Sequence, residues 1–508
     1  MNDEPMTVPI ANRLFGEAGM RELDRRAMAL PGMGGGKLME RAGAALLEAL
    51  SEGFPQARTL GVLCGPGNNG GDGFVLARLA AEAGWTVTVH AGEAGGRPDS
   101  DGARARRAWI DSGGEIRPLD AFSPDLGEVW ADCLFGIGLG RPIEAPFAPL
   151  IETLNHSGVP VLAADVPSGV LIDSGSVRGA AVRARLTVTM IANKFGLCTG
   201  AAVDHAGQVR VAALNLPASL FEGVPWIATR VTPEQAPRGL PSRRPAAHKG
   251  DFGHLLVVGG APGYSGAARL TAAAALRAGA GRVTLVTHPE HAALANLDRP
   301  ELMVRPAQAA RDIDALLAGA DAVAVGPGLG QDAWARALWP AVADWRGPLV
   351  VDADALNLLA QAPRRRDDWI LTPHPGEAGR LLGSNAATVN ADRLAALREL
   401  QDRYGGTVLL KGAGTLVGAG VVPGPRGTPA CITGGHPGMA TAGMGDVLTG
   451  IIGALRAQGL DAGAAAVTGA ALHIAAACTA AQRLGGERGL LAGDVIEALP
   501  ASGAGSGA

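Results

Sequence analysis

Residues 60–90, LGVLCGPGNNGGDGFVLARLAAEAGWTVTVH, decide the fold class. Leu60, Gly61, Val62, Leu63 and Cys64 make a short apolar run of strand length, and it stops at a glycine-rich stretch, residues 65–73. From Phe74 to Ala83 the apolar positions return at helical spacing, and residues 86–90 read as a strand. Strand, glycine loop, helix and strand in that order form a βαβ unit, the building block of a parallel sheet. Further apolar runs at 129–135, 159–164, 186–191 and 209–214 extend the sheet, and residues 17–29 and 37–51 precede it as helices. The expectation is an α/β domain of Rossmann-like layering over residues 1–221.

Working outward, residues 222–249 carry five prolines, several arginines and no amphipathic period, so they read as a linker. The alternation then restarts. Apolar runs at 255–258, 283–287, 322–325, 349–351, 370–371 and 408–410 are separated by helical segments such as 267–278, 392–404 and 446–457. This is a second, larger α/β domain over residues 250–500. The small polar tail, 501–508, is expected to be disordered.

Composition narrows the function classes. Hydrophobic residues make up 47% of the 508 and charged ones only 18%, enough apolar matter for large cores; with aromatics at 4%, those cores must be built from Ala, Val and Leu. A net charge of -4 disfavours nucleic acid as a partner bound by general electrostatics. The amino-terminal residues are polar and acidic, without the basic flank and apolar core of a signal peptide. The stretch 464–481 is apolar but mostly alanine, which suits a buried helix better than a membrane span. Cys64, Cys133, Cys198, Cys431 and Cys478 are far apart and odd in number, as reduced thiols of a cytoplasmic protein would be.

Ligands of open parallel sheets bind beyond the carboxyl ends of the strands. Three loops of the first domain lie there: Asn68, Asn69, Gly70, Gly71 and Asp72; then Gly136, Ile137, Gly138, Leu139, Gly140, Arg141 and Pro142; then Asp165, Val166, Pro167, Ser168 and Gly169. Glycines would expose backbone amides to a polar, anionic ligand, and Arg141 could meet phosphate, unless it is simply solvated. The oxygen-bearing set Asn69, Asp132 and Ser168 could hold a hard cation. No GxGxxG fingerprint with an acid about twenty residues on is present, so an ordinary dehydrogenase is disfavoured.

These motifs, GPGNNGGDG, ADCLFGIGLGRP and DVPSG, resemble the NAD(P)H-hydrate epimerase family, whose members interconvert the R and S forms of hydrated NADH and NADPH. The resemblance implies that Asn68, Asn69, Gly70, Gly71 and Asp72, together with residues 136–142, contact the hydrate. It also implies potassium on Asn69, Asp132 and Ser168, and Asp165 at the reacting ring.

The second domain repeats the arrangement. Glycine-rich loops follow its strands at 259–267, 326–330, 372–377 and 411–415, and all face one crevice. The stretch ATAGMGDVLTG, 440–450, is a glycine-spaced turn that runs into a helix. Its unpaired amides and helix dipole favour negative charge, and Asp446 could take a proton from a substrate hydroxyl. By itself GxGD reads more readily as a helix cap. His374 read alone is a packed loop histidine and Lys411 a snorkelling lysine; Lys411 beside Gly412, Ala413, Gly414 and Thr415 also suits a nucleotide phosphate.

DADALNLL, LTPHPGEAGRLLG and ATAGMGDVLTGII resemble the ribokinase-type, carbohydrate-kinase-like domain of ADP/ATP-dependent NAD(P)H-hydrate dehydratases. That resemblance implies S-hydrate contacts at Ala267, Gly328, His374 and Asp446. It implies adenine-nucleotide contacts at Lys411, Gly412, Ala413, Gly414, Thr415 and Gly445, with Asp446 as the base. Mg²⁺ and ADP, less readily ATP, would be the cofactor and co-substrate, and assembly into a homo-oligomer is expected. One departure stands out: His436 occupies a position where the family usually has Asn. Together the two resemblances imply a fused enzyme that repairs hydrated NADH and NADPH. The alternatives are a small-metabolite kinase with an accessory domain, which would accumulate a phosphorylated substrate, and a nucleotide-sensing binding protein, for which Asp446 would be dispensable.

Overall fold

The structure, a computed structural model, describes residues 8–34, 36–92, 98–240, 242–418 and 427–503. Two compact units divide the chain, Met1–Ala228 and Thr229–Ala508.

The first unit opens with a two-residue strand, β1 (Arg13–Leu14), and two helices, Glu17–Met28 and Lys37–Gly53. Its sheet contains β2 (Thr59–Cys64), β3 (Thr86–Ala91), β4 (Ile116–Arg117), β5 (Val129–Cys133), β6 (Val161–Ala164), β7 (Leu186–Met190) and β8 (Gln208–Ala212). They run parallel in the order β4-β3-β2-β5-β6-β7-β8. The chain builds leftward from β2 and then returns to its other side at β5, with Val62 registered on both Val89 and Ala131. That reversal opens a crevice at the carboxyl ends of β2 and β5. Both central strands are buried almost throughout, as their continuous apolar runs require.

The helix after β2 begins at Asn68, six residues ahead of the apolar period at Phe74. Asn68, Asn69, Gly70, Gly71 and Asp72 are therefore its first turn and not a loop. The glycines there answer to packing. A Cβ on Gly70 would stand 1.9 Å from the Gly65 carbonyl oxygen, and one on Gly73 would stand 2.8 Å from the Cys133 Cβ and Cys64 Sγ.

The second unit begins inside the stretch that reads as a linker. β9 (Ala228–Val231) pairs with a later strand of the large sheet, and a 3-10 turn at Pro233–Gly239 buries Ala236 in its core. Four residues are too few to show a period, and the prolines, which fix φ, here set a tight turn. The rest of the sheet is β10 (His254–Val258), β11 (Arg282–Thr287), β12 (Met303–Pro306), β13 (Ala322–Val325), β14 (Leu349–Val351), β15 (Trp369–Leu371), β16 (Thr407–Leu410), β17 (Thr415–Gly418) and β18 (Ala430–Ile432). The order is β9-β18-β17-β16-β15-β14-β13-β10-β11-β12. Only β17 runs against its neighbours β16 and β18.

Helices Ser265–Arg277 and Met444–Ala457 cover this sheet and pack on each other at close range, since a Cβ on Gly450 would lie 2.1 Å from the Thr271 carbonyl oxygen. The alanine-rich helix Ala462–Leu484 is long and apolar enough to cross a membrane, yet 72% of its most apolar window is buried inside the unit. Ala501, Ser502 and Gly503 close the final helix, Ala492–Gly503; the rest of the expected tail, 504–508, lies outside the described residues.

Candidate active sites

In the first unit the strand-end residues line a cavity of about 720 Å³. Asn68, Asn69, Asp72, Gly136, Ile137, Gly138, Leu139, Gly140, Arg141 and Asp165 all face it. Gly70, Gly71 and Pro142 do not; Gly71 instead packs on Met39.

Asp165 follows β6 in a left-handed conformation, φ 66°, costly for a residue with a Cβ. The fold holds it there: its N–H donates to the Val188 carbonyl (2.8 Å), and its Oδ1 accepts from the Met190 N–H (3.1 Å). The same oxygen lies 2.7 Å from Nζ of Lys194, a fully buried lysine that also donates to Thr189 Oγ1 (2.7 Å). Lys194 was not legible as a site residue, although it sits just past the end of β7, where strand-end reasoning could have found it.

Asp72 and Asp24 complete an acidic wall. Burial, then the nearby Asp165 and Asp24 carboxylates, push the Asp72 carboxyl well up. Burial, with Asp165 adding to it, pushes Asp24 up to about 6, against the pull of Lys194 and Arg21.

Beneath the cavity, Asp132 and Ser168 are fully buried and bonded to each other. Asp132 Oδ1 accepts from Ser168 Oγ and Oδ2 from the Ser168 N–H, both at 2.7 Å. Ser168 Oγ in turn accepts from the Phe135 N–H (2.9 Å). Desolvation raises Asp132 to about 6 despite those bonds. Asn69 is buried beside Gly136, and neither its Oδ1 nor its Nδ2 has a hydrogen-bond partner among the described residues. A buried amide left so costs free energy unless a ligand meets it.

In the second unit a charged cluster gathers at the start of helix Met444–Ala457. Gly443, with φ 89°, turns the chain in, and Gly445 and Asp446 form the first turn. A Cβ on Gly445 would stand 3.3 Å from Lys411 Nζ and 3.9 Å from Asp352 Oδ2, so those three positions are neighbours. Lys411 Nζ pairs with Asp352 Oδ1 at 2.7 Å and approaches Glu377 Oε2 at 3.9 Å. Burial opposes the ammonium, but Asp352 and Glu377 hold it above the ordinary lysine range.

The Asp446 carboxyl is pushed up to about 7 by burial and by Asp352, with Lys411 pulling the other way. His374 caps its helix by accepting the Gly376 N–H at Nδ1 (3.0 Å), while Glu377 accepts the His374 N–H (2.8 Å). Burial, then Lys411 and Arg380, lower the imidazole's pKa. Thr271 Oγ1 donates to the carbonyls of both Ala267 and Asp446 (3.0 Å each), and a Cβ on Gly328 would lie 3.2 Å from Ala267. Ala267, Gly328, His374, Lys411, Gly445 and Asp446 thus converge.

The turn from Lys411 to Thr415 is held by Arg393, which donates to the Leu410 and Lys411 carbonyls (3.2 Å each); Thr415 Oγ1 donates to the Gly412 carbonyl (3.1 Å). Gly412 and Ala413 are exposed beside it, and Gly414 is buried. Asp352, at the end of β14, escaped the sequence reading as a site residue. Both of its oxygens are engaged, the second by Thr449 Oγ1 at 2.7 Å.

A cavity at the carboxyl ends of parallel strands in a Rossmann-like unit, and a charged strand-end cluster in a ribokinase-like unit, mark a fused two-site α/β enzyme. Residues 35–196 match the family model of the YjeF-related protein N-terminus, and residues 255–501 match that of NAD(P)H-hydrate dehydratase. The bifunctional NAD(P)H-hydrate repair enzyme of Coxiella burnetii is 47% identical over 97% of this chain and 99% of its own. That of Escherichia coli is 42% identical over 98% and 95%. A solved ADP/ATP-dependent NAD(P)H-hydrate dehydratase from Bacillus subtilis is 29% identical, covering 53% of this chain and 96% of its own with a TM-score of 0.46. The chain belongs to the bifunctional NAD(P)H-hydrate repair enzyme family.

Proposed function

We propose that the protein repairs hydrated NADH and NADPH in two steps on one chain. The first unit interconverts the R and S hydrates, and the second dehydrates the S form at the expense of an adenine nucleotide. The observation that carries this reading is the pairing, within one chain that matches repair enzymes end to end, of an ion-paired Asp165 at one set of strand ends with a half-buried Asp446, raised to about 7, at the other.

The chemistry follows from the substrates. The hydrated carbon is bonded to the ring nitrogen, so loss of hydroxide leaves an iminium ion, and water added to the other face inverts the centre. Asp165 would stabilise that cation. Asn68, Asn69, Asp72 and residues 136–141 would hold the hydrate, with Gly70, Gly71 and Pro142 supporting the lining from behind.

Potassium fits Asn69, Asp132 and Ser168, because the orphaned Asn69 amide oxygen lies beside the loop to which Ser168 and Asp132 are bonded. Bound there, a hard cation would supply positive charge for an anionic substrate. The chain's own part is to keep that pocket dry and oxygen-lined.

In the second crevice Asp446 takes the proton of the S-hydrate hydroxyl as that oxygen attacks the terminal phosphoryl group of the nucleotide. Expulsion of the resulting phosphate by the ring nitrogen's lone pair leaves an iminium ion, and loss of a proton from the adjacent ring carbon to solvent restores the double bond of the reduced ring. A base poised near neutrality in the first turn of a helix is suited to this step. Ala267, Gly328 and His374 would seat the hydrate, and Lys411, Gly412, Ala413, Gly414, Thr415 and Gly445 the nucleotide. Mg²⁺ is expected to arrive on the nucleotide's phosphates, since among the described residues no three His, Cys, Asp or Glu gather into a cage.

ADP is taken as the donor in preference to ATP, on the analogy of fused repair enzymes. A cytoplasmic setting is supported by five cysteines that form no disulfide among the described residues. Exposed Leu294 and Leu297 on the second unit support assembly into a homo-oligomer.

The test is one assay. Purified protein with a mixture of R and S hydrates of NADH and Mg²⁺ is given ADP or ATP, and absorbance at the reduced-nicotinamide band is followed. Full recovery of both isomers is expected. A stable phosphorylated product, or hydrates that survive untouched, would sink the reading.

A further inference from the structure

The cavity of the first unit holds a carboxyl group that the family motifs do not include. Helix Glu17–Met28 lays Met20, Arg21, Asp24, Arg25 and Met28 along the cavity wall, a stripe with the spacing of one helix face. The other two acids of this helix are paired: Glu17 with Arg21, and Glu22 with Arg25 and Arg26. Asp24 has no hydrogen bond or ion pair among the described residues. It stands mid-helix, so it caps nothing, and it shares the cavity with Asp165 and Lys194 from a different wall.

We propose that Asp24 is the second catalytic carboxyl of the first unit, protonating the departing hydroxyl while Asp165 receives the proton of the incoming water. The inference rests on the epimerase reading of this unit. In the forward step the carbon–oxygen bond of the hydrate breaks with both electrons going to oxygen. The proton of Asp24 turns that oxygen into water, and the ring nitrogen's lone pair closes the iminium. A second water adds to the same carbon from the other face and gives one proton to Asp165. Solvent exchange then returns a proton to Asp24 and removes one from Asp165, and the reverse reaction exchanges their roles.

Two carboxyls can divide acid and base work when their environments differ. Here one is ion-paired to a buried lysine, and the other is partly desolvated with no ion pair among the described residues. The charged and titratable groups around Asp24 are Asp72, Asp165, Lys194 and Arg21, with Arg25, Asp101 and Arg141 on the same cavity. Burial and Asp165 hold the Asp24 proton on at mildly acidic pH, which an acid catalyst needs and a structural carboxylate does not.

The test uses the full-length protein and separated R hydrate of NADH. Conversion to S is measured by chromatography without nucleotide, and dehydration of S is measured separately with nucleotide. In Asp24→Asn, the conversion kcat is expected to fall about 100-fold with KM within about threefold, while S dehydration is unchanged. Conversion within about threefold of wild type, or a loss carried by KM alone, overturns the proposal.

A second measurement needs no variant. The wild-type conversion kcat should decline as pH rises above the mildly acidic range, and a flat profile between about pH 5 and 8 overturns the acid role. If the wild type converts no R hydrate at all, the epimerase reading itself fails. Loss confined to Asp24→Asn speaks to this residue alone.

Discussion

Lys411 Nζ lies 2.7 Å from Asp352 Oδ1, and the other oxygen of Asp352 accepts from Thr449, on the helix that carries Asp446. The pair fixes a partly buried positive charge beside a carboxyl that is itself driven towards neutrality. Burial and Asp352 raise Asp446; Lys411 limits the rise.

Removing one partner leaves the other buried and uncompensated. Lys411→Met should destabilise the second unit by about 3–5 kcal/mol, and adding Asp352→Asn should restore most of that loss. Urea unfolding of the two single variants and the double variant measures the coupling. Additive losses would show that the pair does not act as a unit.

Asp446 as a base must be ionised to act. With its carboxyl raised to about 7, kcat/KM for S dehydration should climb as pH rises through about 7 and level off above it. Asp446→Asn should lower dehydration about 10²–10⁴-fold while R-to-S conversion stays intact.

The same raised pKa has a stability consequence of opposite sign. The native state holds the proton more tightly than the unfolded chain, so this contribution is full below the ordinary carboxylate range. It is lost as pH rises through about 7. Asp446→Asn should therefore be more stable than wild type at pH 8, by thermal unfolding, and the gap should shrink towards pH 4.

His436 accepts the Gly438 N–H at Nδ1 (3.2 Å) and so caps the short turn Pro437–Met439. An Asn side-chain oxygen can make the same bond. His436→Asn should leave stability within about 0.5 kcal/mol, whereas His436→Ala should cost about 0.5–2 kcal/mol. Thermal unfolding of the two variants side by side decides it, with nucleotide affinity as the functional readout.

At Gly70 a Cβ would meet the Gly65 carbonyl oxygen at 1.9 Å, backbone against backbone. Gly70→Ala should cost about 3 kcal/mol or more, or prevent the first unit from folding. Gly67→Ala, with nothing within 4 Å of the added carbon, should be tolerated. Equal stability of the two variants would show that Gly70 does not serve packing.

The α/β class and both groups of strand-end loops were readable because their signals are local. Apolar runs bounded by glycines mark parallel strands, and the residues just past them must gather at one sheet edge. Asp446, Asp165 and Asn69 were singled out as candidates in this way. β9 and the true start of the helix at Asn68 were not, since a four-residue strand shows no period and glycines blur a helical pattern.

By itself the sequence determined two parallel-sheet units, each with glycine-rich strand ends that carry acids. Only the tertiary structure decided which charges meet: Lys411 with Asp352, Lys194 with Asp165, and Asp24 on the cavity of that last pair with no ion pair or hydrogen bond among the described residues. The physical reason is that pairing depends on strand order and register. Lys411 and Asp352 are 59 residues apart and come together because β14, β15 and β16 lie side by side and point the same way. Local patterning fixes the strands, but the protonation of each carboxyl follows from the neighbours and burial that their assembly imposes.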